Sequence, residues 1–166
     1  KYSPSIIAKV NIKGDFKNVQ GKGFRILAGY IFGKNKGQNK ISMTSPVEMS
    51  NQSMKIKMTS PVLMGQKEDS YTMGFFMPSK FTLKTLPAPL DKRIVFEVVK
   101  ERVVASHRFS WYSSQKRNDK KANELKKWLK KYPEYEIKGD YSYYGYNPPW
   151  TIPFLKRNEV HFSLVK

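Results

Sequence analysis

The sequence contains two nearly identical ten-residue segments, Lys40-Ile-Ser-Met-Thr-Ser-Pro-Val-Glu-Met49 and Lys55-Ile-Lys-Met-Thr-Ser-Pro-Val-Leu-Met64. Eight of their ten positions are identical at an offset of fifteen residues. In each copy the apolar residues recur at every second position, and this period of two predicts a β-strand with one largely apolar face. Pro46 and Pro61 lie on the opposite face, which predicts an edge strand or a bulge at each position. Residues 50–53 are then expected to form the turn between the strands.

Methionine is concentrated in this region, because all seven methionines lie between Met43 and Met77. Met is a flexible, polarizable side chain that fills irregular apolar space, so its concentration predicts either an adaptable core or a site for a flat apolar ligand. A third predicted strand, from Tyr71 to Met77, places Met73, Phe75 and Met77 on one face. Since six of the seven methionines fall on coherent strand faces, we interpret most of them as core residues.

The sequence on either side of the two repeated segments, which we call the doublet, predicts a mixture of strands and helices. Strands are predicted at 5–12, within 93–111, at 141–147 and at 159–165, and helices at 16–32, capped by Asp15, and at 114–131. The Pro-containing segment 86–90 separates two halves, about 1–90 and 91–166, and each half has the order strand, helix, strand, strand. We therefore predict a single α+β domain in which two β-α-β-β halves form a strongly curved antiparallel sheet or barrel with two flanking helices.

The 166-residue chain carries a formal net charge of +18. Such a charge can attract nucleic acid, but it comes from 25 lysines and only six arginines, whereas base readout favours Arg. No helix-turn-helix, zinc-finger or RNP-like pattern is present, so we predict a Lys-rich surface and no specific nucleic-acid partner. The apolar runs are too short to predict a transmembrane segment. The absence of cysteine leaves a cytoplasmic and an exported location equally open.

Few residues of the chain suit catalysis. The two histidines, His107 and His161, are not part of a short metal-ligand motif. His107 shares its predicted strand face with apolar residues, which predicts a core position, and His161 lies on the more polar face of the last strand, which predicts a surface position. Gly21-Lys-Gly23 does not continue as a dinucleotide fingerprint, and no pair of carboxylates stands out for acid–base chemistry. We therefore predict that the protein is not an enzyme.

An aromatic segment near the C-terminus suits ligand binding better. Tyr141-Ser-Tyr-Tyr-Gly-Tyr-Asn-Pro-Pro-Trp-Thr-Ile-Pro-Phe154 contains three prolines and six aromatic residues in fourteen positions. Such a stiff, apolar loop is either a lid over the core or one wall of a binding groove, and composition leaves both interpretations open. Lys156 and Arg157 follow it and could pair with ligand carboxylates at its rim.

Three segments carry a family resemblance over essentially the whole chain. They are Lys55-Ile-Lys-Met-Thr-Ser-Pro-Val62, then Tyr71-Thr-Met-Gly-Phe-Phe-Met-Pro78 with Leu86-Pro-Ala-Pro89 after it, and Tyr146-Asn-Pro-Pro-Trp-Thr-Ile-Pro-Phe-Leu-Lys-Arg-Asn-Glu-Val160. With these segments the chain resembles the SOUL heme-binding family. The resemblance implies a distorted antiparallel β-barrel and a monomer that binds heme or another tetrapyrrole reversibly without catalysing a reaction on it. Family members usually have one more strand upstream of a segment like residues 1–10, so the resemblance also implies that the N-terminus is incomplete.

The resemblance further implies a ligand groove between the first helix and the loop before the last strand. The implied groove residues are Lys22, Phe24, Arg25, Leu27, Ala28 and Ile31 on the helix, and Trp150, Phe154, Lys156 and Arg157 on the loop. Heme would then be held by apolar contact, with Lys or Arg paired to its propionates or with a methionine thioether on its iron. Two other functions remain open: a protein-interaction or anionic-surface-binding domain with no physiological heme, and nucleic-acid binding through charge alone.

Overall fold

A computed structural model describes residues 1–42, 46–50, 70–147 and 150–166. The described chain has seven strands and two α-helices, and this confirms the predicted α+β class. In chain order the elements are β1 (Ser5–Lys13), α1 (Phe16–Ile31), β2 (Val47–Ser50), β3 (Ser70–Phe76), β4 (Val95–Val99), β5 (Val103–Phe109), α2 (Gln115–Leu129), β6 (Glu136–Gly145), a short 3₁₀ helix (Pro153–Leu155) and β7 (Asn158–Val165). No helix within these ranges is long and apolar enough to cross a bilayer.

The strands form one antiparallel sheet with the order β4-β1-β3-β2-β6-β7-β5. The strands that flank α1 pair in the order β1-β3-β2, and the strands that flank α2 pair in the corresponding order β5-β7-β6. The two sets meet where β2 pairs with β6. The segment 93–111 forms two strands, β4 and β5, which lie at opposite ends of the sheet. An isolated antiparallel bridge pairs Tyr2, just before β1, with Arg102, just before β5, and brings the two strands toward each other. The sheet is therefore curled, but in the described residues it is not closed into a barrel.

Helix α1 packs its apolar side on β1 and β3. Asp15 caps it as predicted, because the Asp15 side chain accepts a hydrogen bond from the Asn18 N–H at 3.0 Å. Val19, Leu27 and Ile31 are buried. A Cβ atom at Gly23 would lie 3.0 Å from the sulfur of Met73, so the glycine permits the helix to approach the sheet closely.

Helix α2 packs on β5 and β7. Ser114 caps it, and Ala122, Leu125 and Leu129 are its buried apolar residues. Helical spacing predicts that Trp128 and Tyr132 share the apolar stripe of Ala122, Leu125 and Leu129. Both nevertheless remain substantially exposed, and their ring centroids are 4.6 Å apart. The two rings are tilted against each other, and such a pair shields part of its own apolar surface without entering the core.

The doublet is only partly within the described residues. Its first copy provides β2, and Met49 is buried there as predicted. Ser50 belongs to that strand, so the turn that we expected at 50–53 cannot begin at Ser50. The second copy, with Pro61, lies outside the described residues. Met73 and Met77 are buried, which agrees with the core interpretation for both.

Candidate functional site

A cavity of about 450 Å³ opens between α1, the sheet and the loop that precedes β7. Its volume falls within the range of roughly 300–1,000 Å³ that is usual for small-molecule sites. The lining residues are Lys17, Gln20, Gly21 and Phe24 from α1, Val47, Met49, Met73, Tyr143 and Gly145 from the sheet, Tyr112 and Ser113 from the β5–α2 loop, and Asn147, Lys156 and Asn158 from the loop and the start of β7.

The walls of this cavity are mostly apolar, and its cations come from two sides. Phe24 packs edge-to-face on Phe75 of β3, with 5.5 Å between ring centroids. Lys17 and Lys156 approach from the helix and from the loop, and the Lys156 ammonium lies 5.2 Å from the centre of the Tyr112 ring. An apolar volume bordered by two ammonium groups suits a ligand that has an apolar body and carboxylate groups.

A buried hydrogen-bonded pair forms the polar part of the cavity. The Tyr143 hydroxyl donates to Asn158 Oδ1 at 2.7 Å, and Asn158 Nδ2 donates to the backbone oxygen of Trp111 at 2.8 Å. Burial raises the pKa of Tyr143, with a smaller opposing effect from a hydrogen bond with Ser113, so its hydroxyl stays neutral. Asn158 thereby joins β6, β7 and the β5–α2 loop at the cavity.

The family model described as SOUL heme-binding protein matches residues 1–163. The chain belongs to the SOUL heme-binding family. This match confirms the resemblance derived from the sequence motifs and covers nearly all of the 166 residues. No curated protein matches the chain.

Solved structures similar to this SOUL chain share its fold at low identity. The C-terminal domain of EcmrR has a TM-score of 0.69 at 12% identity, with 99% of this chain and 94% of that chain covered. A hydrolase encoded by lin2189 from Listeria innocua has a TM-score of 0.59 at 10% identity, with 98% and 88% covered. SAV2435 bound to tetraphenylphosphonium has a TM-score of 0.52 at 7% identity, with 99% and 90% covered. Likenesses at such low identities support the fold alone.

Only some of the residues that the SOUL resemblance implies for the groove line the cavity. Phe24 and Lys156 line the cavity. Leu27, Ala28 and Ile31 belong to the buried core, where they attach α1 to the sheet and have almost no exposed surface.

Lys22 and Arg25 lie away from the cavity. They line a separate hollow with Lys34, Asp91 and Arg93, and the Arg25 Nε–H donates to the backbone oxygen of Gly21 at 3.3 Å. The reason is helical spacing: residues 17, 20, 21 and 24 share one face of α1, and Lys22 and Arg25 lie on another. That spacing is also the signal that could have identified Lys17 from the sequence.

Arg157 belongs to an ion-pair cluster on β7 and the loop before it. Its Nε–H donates to Glu159 Oε1 at 2.8 Å, and its guanidinium lies 4.3 Å from the centre of the Tyr146 ring. The Tyr146 hydroxyl and His161 Nε2 both contact Glu159 Oε2, at 2.9 and 2.8 Å. Arg157 therefore holds the loop to β7. Trp150 and Phe154, which the resemblance also implied for the groove, project toward solvent and are not among the lining residues of the cavity.

His161 is buried, and the expectation of a surface position was wrong. Its ring stacks on Tyr144 at 4.1 Å between centroids, and Tyr2 covers it at 5.7 Å. His107, which we expected in the core, is instead partly exposed, with its Nδ1 3.8 Å from a carboxylate oxygen of Glu124. Tyr2 and Tyr144 remove His161 from water on its face of β7, whereas His107 lies on β5, an end strand of the sheet that pairs only with β7.

Proposed function

We propose that this protein binds heme or a related tetrapyrrole reversibly in the cavity beside α1, as a monomer. The observation that carries the proposal is the combination of a SOUL family match with an apolar cavity of about 450 Å³ that has lysines on two sides. Phe24, Met49 and Met73 offer apolar contact to the macrocycle, and the ammonium groups of Lys17 and Lys156 pair with its propionates.

Heme, when bound, supplies an iron centre whose properties depend on its axial ligand. Among the described lining residues there is no histidine, whereas the thioether sulfurs of Met49 and Met73 are candidate soft ligands. Apolar contact and the two lysines would hold the macrocycle whether or not iron is present. The described lining also has no carboxylate that could act as a general acid or base.

The test is a titration with hemin, and in parallel with iron-free protoporphyrin, followed by the Soret band and by quenching of Trp fluorescence. We expect the Lys17→Ala/Lys156→Ala variant to bind both ligands about tenfold more weakly, since each of the two charge-assisted contacts contributes about 0.7 kcal/mol. The matched control is Lys22→Ala/Arg25→Ala, which removes two cations from α1 that lie outside the cavity. Its affinity should equal that of the unchanged protein.

Two results would overturn the proposal. One is an equal loss of affinity in both double variants, because the ligand would then respond to net charge and not to the cavity. The other is hemin binding no tighter than that of an unrelated protein of similar basic charge. That comparison is needed because a planar anion adsorbs to any surface of a chain with charge +18.

A further inference from the structure

A group of large apolar side chains is exposed beside the cavity. It consists of Trp111, Tyr112, Trp150, Ile152, Phe154 and Leu155, which we call the aromatic patch. Trp150 is 84% exposed, and Phe154 and Leu155 are each 61% exposed. Scattered exposed apolar residues are normal, but a concentration of them marks a contact surface.

The backbone beneath the aromatic patch is held in place. The Trp111 N–H donates to the Pro153 oxygen at 2.8 Å, and this bond joins the β5–α2 loop to the 3₁₀ helix. Trp111 has a φ of 82°, a left-handed conformation that is unfavourable for a bulky residue. The exposure of these side chains is therefore a property of an ordered backbone, and the fold keeps the patch presented to the outside.

Cationic side chains adjoin the aromatic patch. Lys156 lies over the Tyr112 ring, and the Arg117 guanidinium donates to the Tyr112 backbone oxygen at 3.1 Å. Arg108 lines a shallow hollow together with Phe154 and Leu155. Within a protein of net charge +18, this arrangement combines apolar anchors with positive charge at one place.

We propose that the aromatic patch docks the protein onto the surface of an anionic lipid bilayer. Trp, Tyr and Phe side chains partition into the bilayer interface, where an apolar ring and a polar edge are both accommodated. Lysine and arginine beside them are attracted by the negative surface potential of phosphatidylserine-type lipids. Docking of this kind does not require a membrane-spanning helix. The aromatic patch shares Tyr112 and Lys156 with the cavity, but its exposed anchors Trp150 and Phe154 lie outside the cavity lining.

The test measures co-sedimentation of the full chain with vesicles of phosphatidylcholine alone and of phosphatidylcholine mixed with phosphatidylserine. We expect binding to the anionic vesicles and a blue shift of Trp fluorescence. The Trp150→Ser/Phe154→Ser variant should bind about tenfold more weakly because both substitutions remove exposed anchors. The matched control is Trp128→Ser, which removes a tryptophan of 49% exposure on α2, outside the aromatic patch, and should bind as the unchanged protein does.

Three results would overturn the proposal. Equal binding of the double variant and the unchanged protein would show that net charge, and not the aromatic patch, is responsible for the binding. Failure of the unchanged protein to bind anionic vesicles would exclude a lipid partner. A dimer in light scattering that becomes a monomer in the double variant, with no vesicle binding, would assign the aromatic patch to self-association. Circular dichroism of the double variant checks that it is folded, and folding is expected because both side chains are exposed.

Discussion

His161 is a buried histidine whose proton assignment follows from its partner. The Glu159 carboxylate can only accept a hydrogen bond, so the neutral ring carries its proton on Nε2. Burial lowers the pKa of His161 below its ordinary 6.5, and the hydrogen bond from His161 to Glu159 offsets this only in part. The nearby cations Arg102 and Arg157 act in the same direction as burial. The folded protein therefore holds His161 neutral.

This assignment predicts that acid destabilises the protein. As the pH falls below about 6.5, the unfolded chain binds a proton at His161 while the folded chain does not. The free energy of unfolding should therefore decrease from about pH 7.5 to about pH 5.5 in urea titrations. His161→Gln keeps a donor for Glu159 but cannot titrate, so its decrease should be smaller. An identical decrease in both proteins would contradict the assignment.

Glu159 adds a second acid-sensitive contribution at lower pH. Burial alone would raise the pKa of Glu159, but hydrogen bonds from His161, Arg157 and Tyr146 outweigh it and leave the pKa below its ordinary 4.5. Its stabilisation is present above that value and is lost as the pH falls below it. The ion pair also fixes the loop that carries Lys156, so the same carboxylate supports one side of the cavity.

At the scale of elements, Asn158 joins three of them through one side chain. Asn158→Ala would leave the Tyr143 hydroxyl and the Trp111 backbone oxygen without these partners, and we expect a loss of about 2–3 kcal/mol in the free energy of unfolding. Tyr143→Phe breaks only the first of these bonds and should cost less, about 1 kcal/mol. Urea denaturation of both variants measures the difference. A cost for Asn158→Ala no greater than that for Tyr143→Phe would show that the bond to Trp111 contributes nothing.

The sequence predicted most of the elements because their signals are local. Asp15 marks the start of α1 through its capping hydrogen bond, and strand periodicity identified β1, β3 and β7. The start of β6 was predicted at residue 141 but lies at Glu136, because a register shift interrupts the strand between Lys138 and Ser142. Bulges of this kind break the period of two on which the prediction depends.

The error at His161 comes from a non-local property. A polar residue on the alternate face of a strand is exposed only if that face meets water. In this fold Tyr2 and Tyr144 cover the alternate face of β7, and no pattern within β7 itself records their approach. The burial of His161 therefore depends on residues outside β7, and the periodicity of β7 could not predict it.

At the scale of the whole molecule, the sequence and the resemblance indicated the region of the cavity better than its residues. Phe24 and Lys156 were named in advance and line it, whereas Tyr112 and Tyr143 were not named for the groove. Tyr112 reaches the cavity because a backbone hydrogen bond from the Trp111 N–H to the Pro153 oxygen holds the β5–α2 loop against the 3₁₀ helix. Such a contact joins residues more than forty positions apart, so it is not visible in local sequence patterns.

The most direct test of the cavity uses Gly21, which lines it on α1. A Cβ atom at Gly21 would meet nothing within 4 Å, so a large side chain can enter the open space without disturbing the core. The measurement is the dissociation constant of hemin for Gly21→Trp, with Gly21→Ala as the control for the change in the helix. We predict affinity about tenfold weaker for Gly21→Trp and nearly unchanged for Gly21→Ala. Equal affinity of a folded Gly21→Trp variant and the unchanged protein would contradict tetrapyrrole binding in this cavity.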